Sequence, residues 1–407
     1  MLPVVFTSFA DNINIKISIF VEQRDTAPAK VQSGTFAILY KVYDANPTDM
    51  QLSLMLERAQ QASDVTFNAD IQPMATQRKS FQDQIHIHIV DILLTYYWSF
   101  DTYNRSESAI LNHPERRKMP KGHRTKQFPL RTSTIDESSV AGNIAVVNDV
   151  YINQLKMTHE ELSNQAVPSI NDQSTNARIC GAKALRTKDI NPFTRLQFRQ
   201  LGFGLFHLMM NLIWALLHVH RGSIHQVGSL SYFFAILDRT RLACEHPDYH
   251  TLLSTLLQIL QGIILNAWRV ECGHSSLATF ASLDPPADKL LQLADKIIRN
   301  HASPSHESPK TKGKKTATTS NALMDAADQQ SSSDGEDSAH RNLCLLTCDL
   351  LYVLELTEAI SSGDFGRIED ILGSLVMIFR GAGSNNYASE ILHWIYNVKN
   401  IWTPEFT

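Results

Sequence analysis

The chain has 407 residues, enough for one large domain or two of ordinary size. Apolar residues make up 43% of it, which excludes a globally disordered chain, and a net charge of −4 leaves no bulk electrostatic footprint for nucleic acid, so any such surface must be a local patch. Five scattered cysteines, an odd number, argue against a secreted disulfide framework.

The chain does not open with a charged segment, an apolar stretch and a small-residue cleavage site, so secretion is not expected. Pro3 to Phe9 is apolar and β-branched enough for a buried strand that ends at Asp11-Asn12. A core strand opening this early is expected to follow an upstream segment that is missing or was never part of this chain. Ser33 to Val42 reads as a second strand, paired with the first. Residues 47–70 are helical in pattern, with Asp49 as cap and Leu52, Leu54, Met55 and Leu56 on the apolar face. Ile85 to Trp98 alternates at first, which predicts a strand with His86 and His88 on one face. That spacing suits a metal, or simply a half-exposed polar face.

Residues 101–132 read as a loop or long hairpin carrying Arg116, Arg117, Lys118, Lys121, Arg124 and Lys126. Such a cluster either tracks phosphates or lines a solvated loop. Residues 136–165 hold a helix with Ile144, Val147, Tyr151 and Leu155 on one stripe. A short strand over 166–171 delivers Asp172 to a turn.

From there the pattern is helical: Leu201 to His220, Ser229 to Cys244, Tyr249 to Val270 and Asp288 to His301. The longest apolar run, Leu205 to Val219, falls short of a membrane span and carries His207, Asn211 and His218, so a core helix and no membrane association are expected. Residues 302–340 are Ser-rich low complexity and read as a disordered insertion. Its lysines (Lys310, Lys312, Lys314, Lys315) form either a nuclear address or a solvated linker. Helices resume at Leu343 to Ile360, with Cys344 and Cys348 as core thiols, and at Arg367 to Phe379. A last helix follows the Gly381/Gly383 turn and carries Tyr387, Glu390, Ile391 and Trp394.

Three acidic residues stand out by context. Asp11 ends a buried strand, Asp172 ends another, and Glu390 lies in the first turns of the last helix. A carboxylate that ends a buried strand is costly unless it is hydrogen-bonded, exposed in a cleft or bound to a cation. Converging, the three would hold Mg²⁺ or Mn²⁺ for phosphoryl transfer, as in nucleases and transposases with an RNase H-like fold. Each also has an ordinary role: turn former for Asp11, helix cap for Asp172, dipole-complementing charge for Glu390. His207 and Asn211, four apart on one helix face, point either into that site as substrate contacts or into the core. Gly-rich phosphate loops, nucleophile elbows, kinase signatures and H-E-x-x-H are absent.

Four stretches together resemble a family of uncharacterised proteins, expanded in basidiomycete fungi and associated with mobile elements. They are ADNIN (10–14), NDQSTNARICGAK (171–183), LGFGLFHLMMNLIWALLH (201–218) and FRGAGSNNYASEILHW (379–394). The resemblance matches Asp11, Asp172, His207, Asn211, Tyr387 and Glu390, and departs at Asn171, where the family carries a glycine suited to a φ > 0 turn. It implies a transposon-related protein and brings no established activity with it.

The expected fold is therefore α+β and predominantly helical, a small RNase H-like mixed sheet with a large all-helical insertion. Residues 1–200 form the mixed α/β region, 201–301 a helical region, 302–340 the disordered insertion and 341–407 the C-terminal helices. The expected chemistry is metal-assisted DNA cleavage or strand transfer by Asp11, Asp172 and Glu390. Arg116, Arg117, Lys118 and Lys121 hold the backbone, His207 and Asn211 contact substrate, and the location is intracellular and nuclear. The alternative is a non-catalytic nucleic-acid- or protein-interaction module.

Overall fold

The computed structural model describes residues 6–16, 31–104, 109–303 and 335–407. The fold is predominantly helical α+β. Its sheet has five strands in the order β3-β2-β1-β4-β5. β1 (Phe6–Lys16) and β2 (Val31–Lys41) pair antiparallel over their full length, Phe6 opposite Lys41 and Lys16 opposite Val31. β3 (Gln127–Pro129) adds antiparallel to β2 at one edge. β4 (Val167–Asn171) lies parallel to β1, and β5 (Arg199–Phe203) parallel to β4. Only β2 thus runs against the others.

Between β2 and β4 the chain forms α1 (Leu52–Gln60), α2 (Ala75–Tyr96), α3 (Val140–Val147) and α4 (His159–Asn164). α5 (Gln173–Leu185) joins β4 to β5 and α6 (Leu205–His220) follows β5 directly. Then come α7 (Leu230–Ile236), α8 (Tyr249–Glu271), α9 (Leu277–Ala281), α10 (Ala287–Ile297), α11 (Gly335–Ser362), α12 (Phe365–Gly381) and α13 (Asn385–Asn400). Among the described residues, everything between β5 and α13 is helix or connection. α8 is long and apolar enough to cross a membrane by length and composition, yet here Leu252, Leu256, Leu260 and Trp268 are fully buried in the helical core. Most of the low-complexity segment, residues 304–334, lies outside the described residues, as does the opening of the first strand.

Two cores meet at α13. The larger gathers α2, α6, α8, α10, α11 and α12, where Trp268 Nε1 donates to Ile89 O at 3.0 Å. The smaller backs the sheet with Leu52, Met55, Tyr151, Phe193, Phe198 and Trp402. Trp394 touches both, its ring edge-on to Phe203, Phe365 and Trp402. Gly202 makes room for it: a Cβ there would lie 2.6 Å from Ile170 Cδ1 and 3.1 Å from Trp394 Cζ3. α13 can therefore settle on β5.

Several expectations are corrected. Ile85 to Trp98 is not a strand but the second half of α2 and the turn after it. Its buried positions run almost around the helix (Gln84, Ile85, Ile87, His88, Ile89, Val90), which erases the helical period that amphipathic segments display. His86 and His88 therefore share no strand face: His86 meets Asp295 at 3.4 Å and His88 meets Glu355 at 2.7 Å. β5 and β3 were not expected. The helix predicted from Leu201 starts at Leu205, because 199–203 is strand, and the boundary set at residue 200 falls inside it. The helix predicted over 229–244 stops at Ile236. Cys344 is buried and Cys348 half-buried, and burial pushes the Cys348 thiol up to about 11, far from thiolate character.

Candidate functional site

Asp11 does not end its strand: it lies midway along β1, opposite Phe36 of β2, and β1 runs on to Lys16. Only Asp172, just past the end of β4, therefore stands at a strand end, where α13 brings a carboxylate close. β4 alternates buried and half-buried residues through Asn171, which is fully buried and not among the residues with positive φ. The glycine-like turn expected there does not occur. Asn171 is the last strand residue, and Asp172 is extended (φ −70°, ψ 166°) and caps α5, its Oδ1 accepting the Thr175 N–H at 2.7 Å. The cap engages one carboxylate oxygen only.

Register relates Asp11 to that strand end. Ser8 pairs with Ser169 and Phe9 with Ile170, both across the 161 positions that also separate Asp11 from Asp172. The β1–β4 pairing stops at Phe9–Ile170; the same offset continued two residues would bring the Asp11 backbone level with Asp172, one residue past the end of β4. The side chain of Asp11 lies outside the described residues.

Glu390 arrives from the second turn of α13, and only 9% of it is exposed. Its Oε1 accepts a hydrogen bond from Asn176 Nδ2 on α5. Burial pushes its pKa up to about 7, the negative charge of Asp172 adds to the rise, and the Asn176 hydrogen bond opposes it. Tyr387, one turn earlier, has its phenol pushed up by burial and by the charges of Asp172 and Glu390. These mutual effects put Asp172, Tyr387 and Glu390 in one electrostatic neighbourhood. Beneath them, Lys183 Nζ donates to Arg199 O at 2.6 Å, and burial pulls its pKa down to about 8.

α6 starts against the end of β4. The Gly204 N–H donates to Asn171 O at 2.9 Å, and the His207 ring stands 3.7 Å from where a Gly204 Cβ would be. His207 is half-buried beside this strand end. Asn211 is turned back on its own helix, Nδ2 donating to His207 O at 2.9 Å.

The basic loop goes elsewhere. Arg116 Nε pairs with Asp370 at 2.8 Å, Arg117 with Glu369 at 2.9 Å while its guanidinium lies over the Phe365 ring, and Lys118 with Glu115 at 3.1 Å. The backbone N–H groups of Arg116 and Arg117 both donate to Asp364. This is a clamp on the α11–α12 junction, with its positive charge already met by carboxylates. Lys121, Arg124 and Lys126 are exposed and make no side-chain ion pair among the described residues.

Among the described residues no group of three or more His, Cys, Asp or Glu converges on one point. Asp172 and Glu390 supply two hard carboxylates, each with one oxygen engaged and one left, and that donor type suits Mg²⁺ or Mn²⁺. Residues missed at the level of sequence are Asn176, Lys183 and Arg199. Asn176 and Lys183 lie within NDQSTNARICGAK, so that stretch marked the place without marking the roles. No curated protein and no solved structure matches the chain. A family model described as a family of unknown function (DUF6589) matches residues 60–407, which includes Asp172 and Glu390 and leaves Asp11 before it.

Proposed function

The chain belongs to this family of unknown function, DUF6589, and from that premise we propose that it is a fungal, transposon-related protein that cleaves or transfers phosphodiester bonds in DNA with Mg²⁺ or Mn²⁺. What supports the proposal is Asp172 at the end of β4, with Glu390 of α13 hydrogen-bonded to Asn176 on the helix that Asp172 caps; the β1–β4 register, continued two residues past Phe9–Ile170, would bring Asp11 level with Asp172. The strand order, with β2 alone antiparallel, supports the RNase H-like reading, in which the helical block between β5 and α13 would be the insertion. The resemblance of ADNIN, NDQST, FHLMMN and NNYASE to a mobile-element family supports the same reading.

In this reading Asp172 offers the oxygen left by its cap and Glu390 the one left by Asn176, while Asp11 completes the set. The metal ions, about 4 Å apart in such sites, would supply Lewis acidity at the attacking and leaving oxygens. A water or hydroxyl oxygen would bond to phosphorus as it gives up its proton to solvent, the P–O3′ bond would break, and the released alkoxide would take up a proton from solvent. His207 borders the substrate, and Lys121, Arg124 and Lys126 meet the DNA backbone, because Arg116 and Arg117 are committed to Asp370 and Glu369. DNA as substrate goes with a nuclear location.

The test is cleavage of duplex and single-stranded DNA by purified full chain with and without Mg²⁺. Wild-type activity that Asp172→Asn abolishes is expected; equal activity in the variant sinks the proposal. One observation favours the non-catalytic alternative: Asp172 and Glu390 each already serve an internal hydrogen bond. Salt-sensitive DNA binding without cleavage, unchanged in Asp172→Asn, would establish that alternative.

A further inference from the structure

A single file of polar side chains runs through the interior from a buried cation to Glu390. It begins at Arg199, which is 4% exposed and at the first residue of β5. The Arg199 guanidinium donates to Ser169 Oγ and, at 3.3 Å, to Asn171 Oδ1. Asn171 Nδ2 donates to Asn176 Oδ1 at 2.9 Å. Asn176 Nδ2 then donates to Glu390 Oε1 and, at 3.0 Å, to Gly202 O. Asn171 and Asn176 are no more than 1% exposed.

The links from Arg199 through Asn171 and Asn176 to Glu390 point the same way, while Asn171 Nδ2 also donates to Ser169 Oγ at 3.1 Å and to Ser169 O at 3.3 Å. Each amide turns its oxygen toward the cation and its NH₂ toward the carboxylate. Such a file fixes both amide orientations, because flipping either one would set oxygen against oxygen. In a low-dielectric interior the aligned dipoles also reinforce one another. Four elements are tied by it: β5 through Arg199, β4 through Asn171, α5 through Asn176 and α13 through Glu390. The last tie joins residues 214 positions apart in sequence.

We infer that Asn171 and Asn176, anchored by Arg199, are positioning residues that hold Glu390 by one oxygen and present its other oxygen to the metal at the end of β4. This rests on Glu390 being a site carboxylate, as proposed above. Outer residues that orient a metal-ligating carboxylate commonly change metal affinity about 10–100-fold when altered.

The experiment separates positioning from folding through two variants of the full chain. Asn176→Ala removes the link to Glu390. Asn171→Asp strengthens the attachment to Arg199 but loses the donor to Asn176, so the fold is held while the file is broken. Mn²⁺ binding is measured by calorimetry and thermal unfolding alongside it. The side-chain amide of Asn176 is followed by NMR in selectively labelled protein without metal. The expected wild-type result is an exchange-protected Asn176 NH₂ with one proton shifted downfield by its anionic acceptor. In both variants Mn²⁺ affinity drops about tenfold or more, with the Asn171→Asp midpoint of unfolding within a few degrees of wild type. A freely exchanging Asn176 amide in the wild type, or wild-type Mn²⁺ affinity in both folded variants, overturns the inference. If the wild type binds no Mn²⁺, the proposed function falls, and positioning toward metal falls with it even where a protected amide shows that the file itself exists.

Discussion

Asp172 Oδ1 accepts the backbone N–H of Thr175 at 2.7 Å, so the residue proposed to ligate metal is also the N-cap of α5. The two roles separate by substitution. Asparagine caps about as well as aspartate, whereas alanine at a cap costs about 1 kcal/mol. Asp172→Asn should therefore unfold within a degree or two of wild type, and Asp172→Ala measurably lower. If both lose metal-dependent cleavage equally, charge is the cause; if Asp172→Asn keeps it, the cap was the whole role.

Gly202 is where β5 passes under α13. Alanine there meets Ile170 Cδ1 and the Trp394 ring, and such overpacking costs about 1–3 kcal/mol. Combining Gly202→Ala with Ile170→Val removes the nearer atom. Chemical denaturation should find the double variant more stable than Gly202→Ala alone. Additive losses would mean that Trp394, not Ile170, sets the limit.

His88 sits against Glu355 and Arg367, all nearly inaccessible to solvent, with His113 as a ring neighbour at 4.5 Å. Burial holds the His88 pKa below its ordinary 6.5, against the pull of Glu355 and with the charges of His113 and Arg367. The unfolded chain therefore binds this proton more readily than the folded one. Stability from His88 is fully present above pH 6.5 and is lost as pH falls from there through the folded pKa. Unfolding midpoints measured between pH 7.5 and 5.5 should fall, and His88→Gln should flatten part of that slope. Glu355→Gln, which strips Arg367 of its carboxylate, should cost about 3–5 kcal/mol at neutral pH.

Asp364 accepts three backbone N–H groups, from Arg116 at 2.9 Å, Arg117 at 2.8 Å and Arg367 at 3.4 Å. Asp364→Ala removes a cap and two buried acceptors at once, about 2–4 kcal/mol in all. Trypsin should then cut after Arg116, Arg117 or Lys118 at low protease, with wild type resisting. Equal digestion of the two would show that the clamp is held by the Arg116 and Arg117 ion pairs instead.

Sequence pattern located β2 and β4 as β-branched runs that stop at polar residues, and β1 only in part: it was expected to end at Asp11-Asn12 but continues through them to Lys16 against β2. It located α6, α8, α10, α12 and α13 because each keeps an apolar face. It failed where burial is symmetric or the element very short. α2 is buried on nearly all sides and loses its period, and β3 has only three residues. β5 runs into the apolar start of α6 with only Gly204 between. Asp172 and Glu390 were legible as acidic residues at element ends. Asn176, Lys183 and Arg199 were not, because an Asn, Lys or Arg is ordinarily a surface residue, and nothing local reveals that Asn176 and Arg199 are buried and Lys183 half-buried near the end of β4.

The helical block between β5 and α13 has a consequence for synthesis. Asp11 and Asp172 leave the ribosome early and can pair on adjacent strands at once, while Glu390 emerges more than two hundred residues later. A contact this distant in sequence closes only after much loop entropy has been overcome, and such contacts form slowly. Until then the nascent chain holds two carboxylates without the third, with Asn176 lacking its carboxylate acceptor. The proposed carboxylate set would thus be assembled last, and a chain interrupted anywhere in the helical block would lack Glu390.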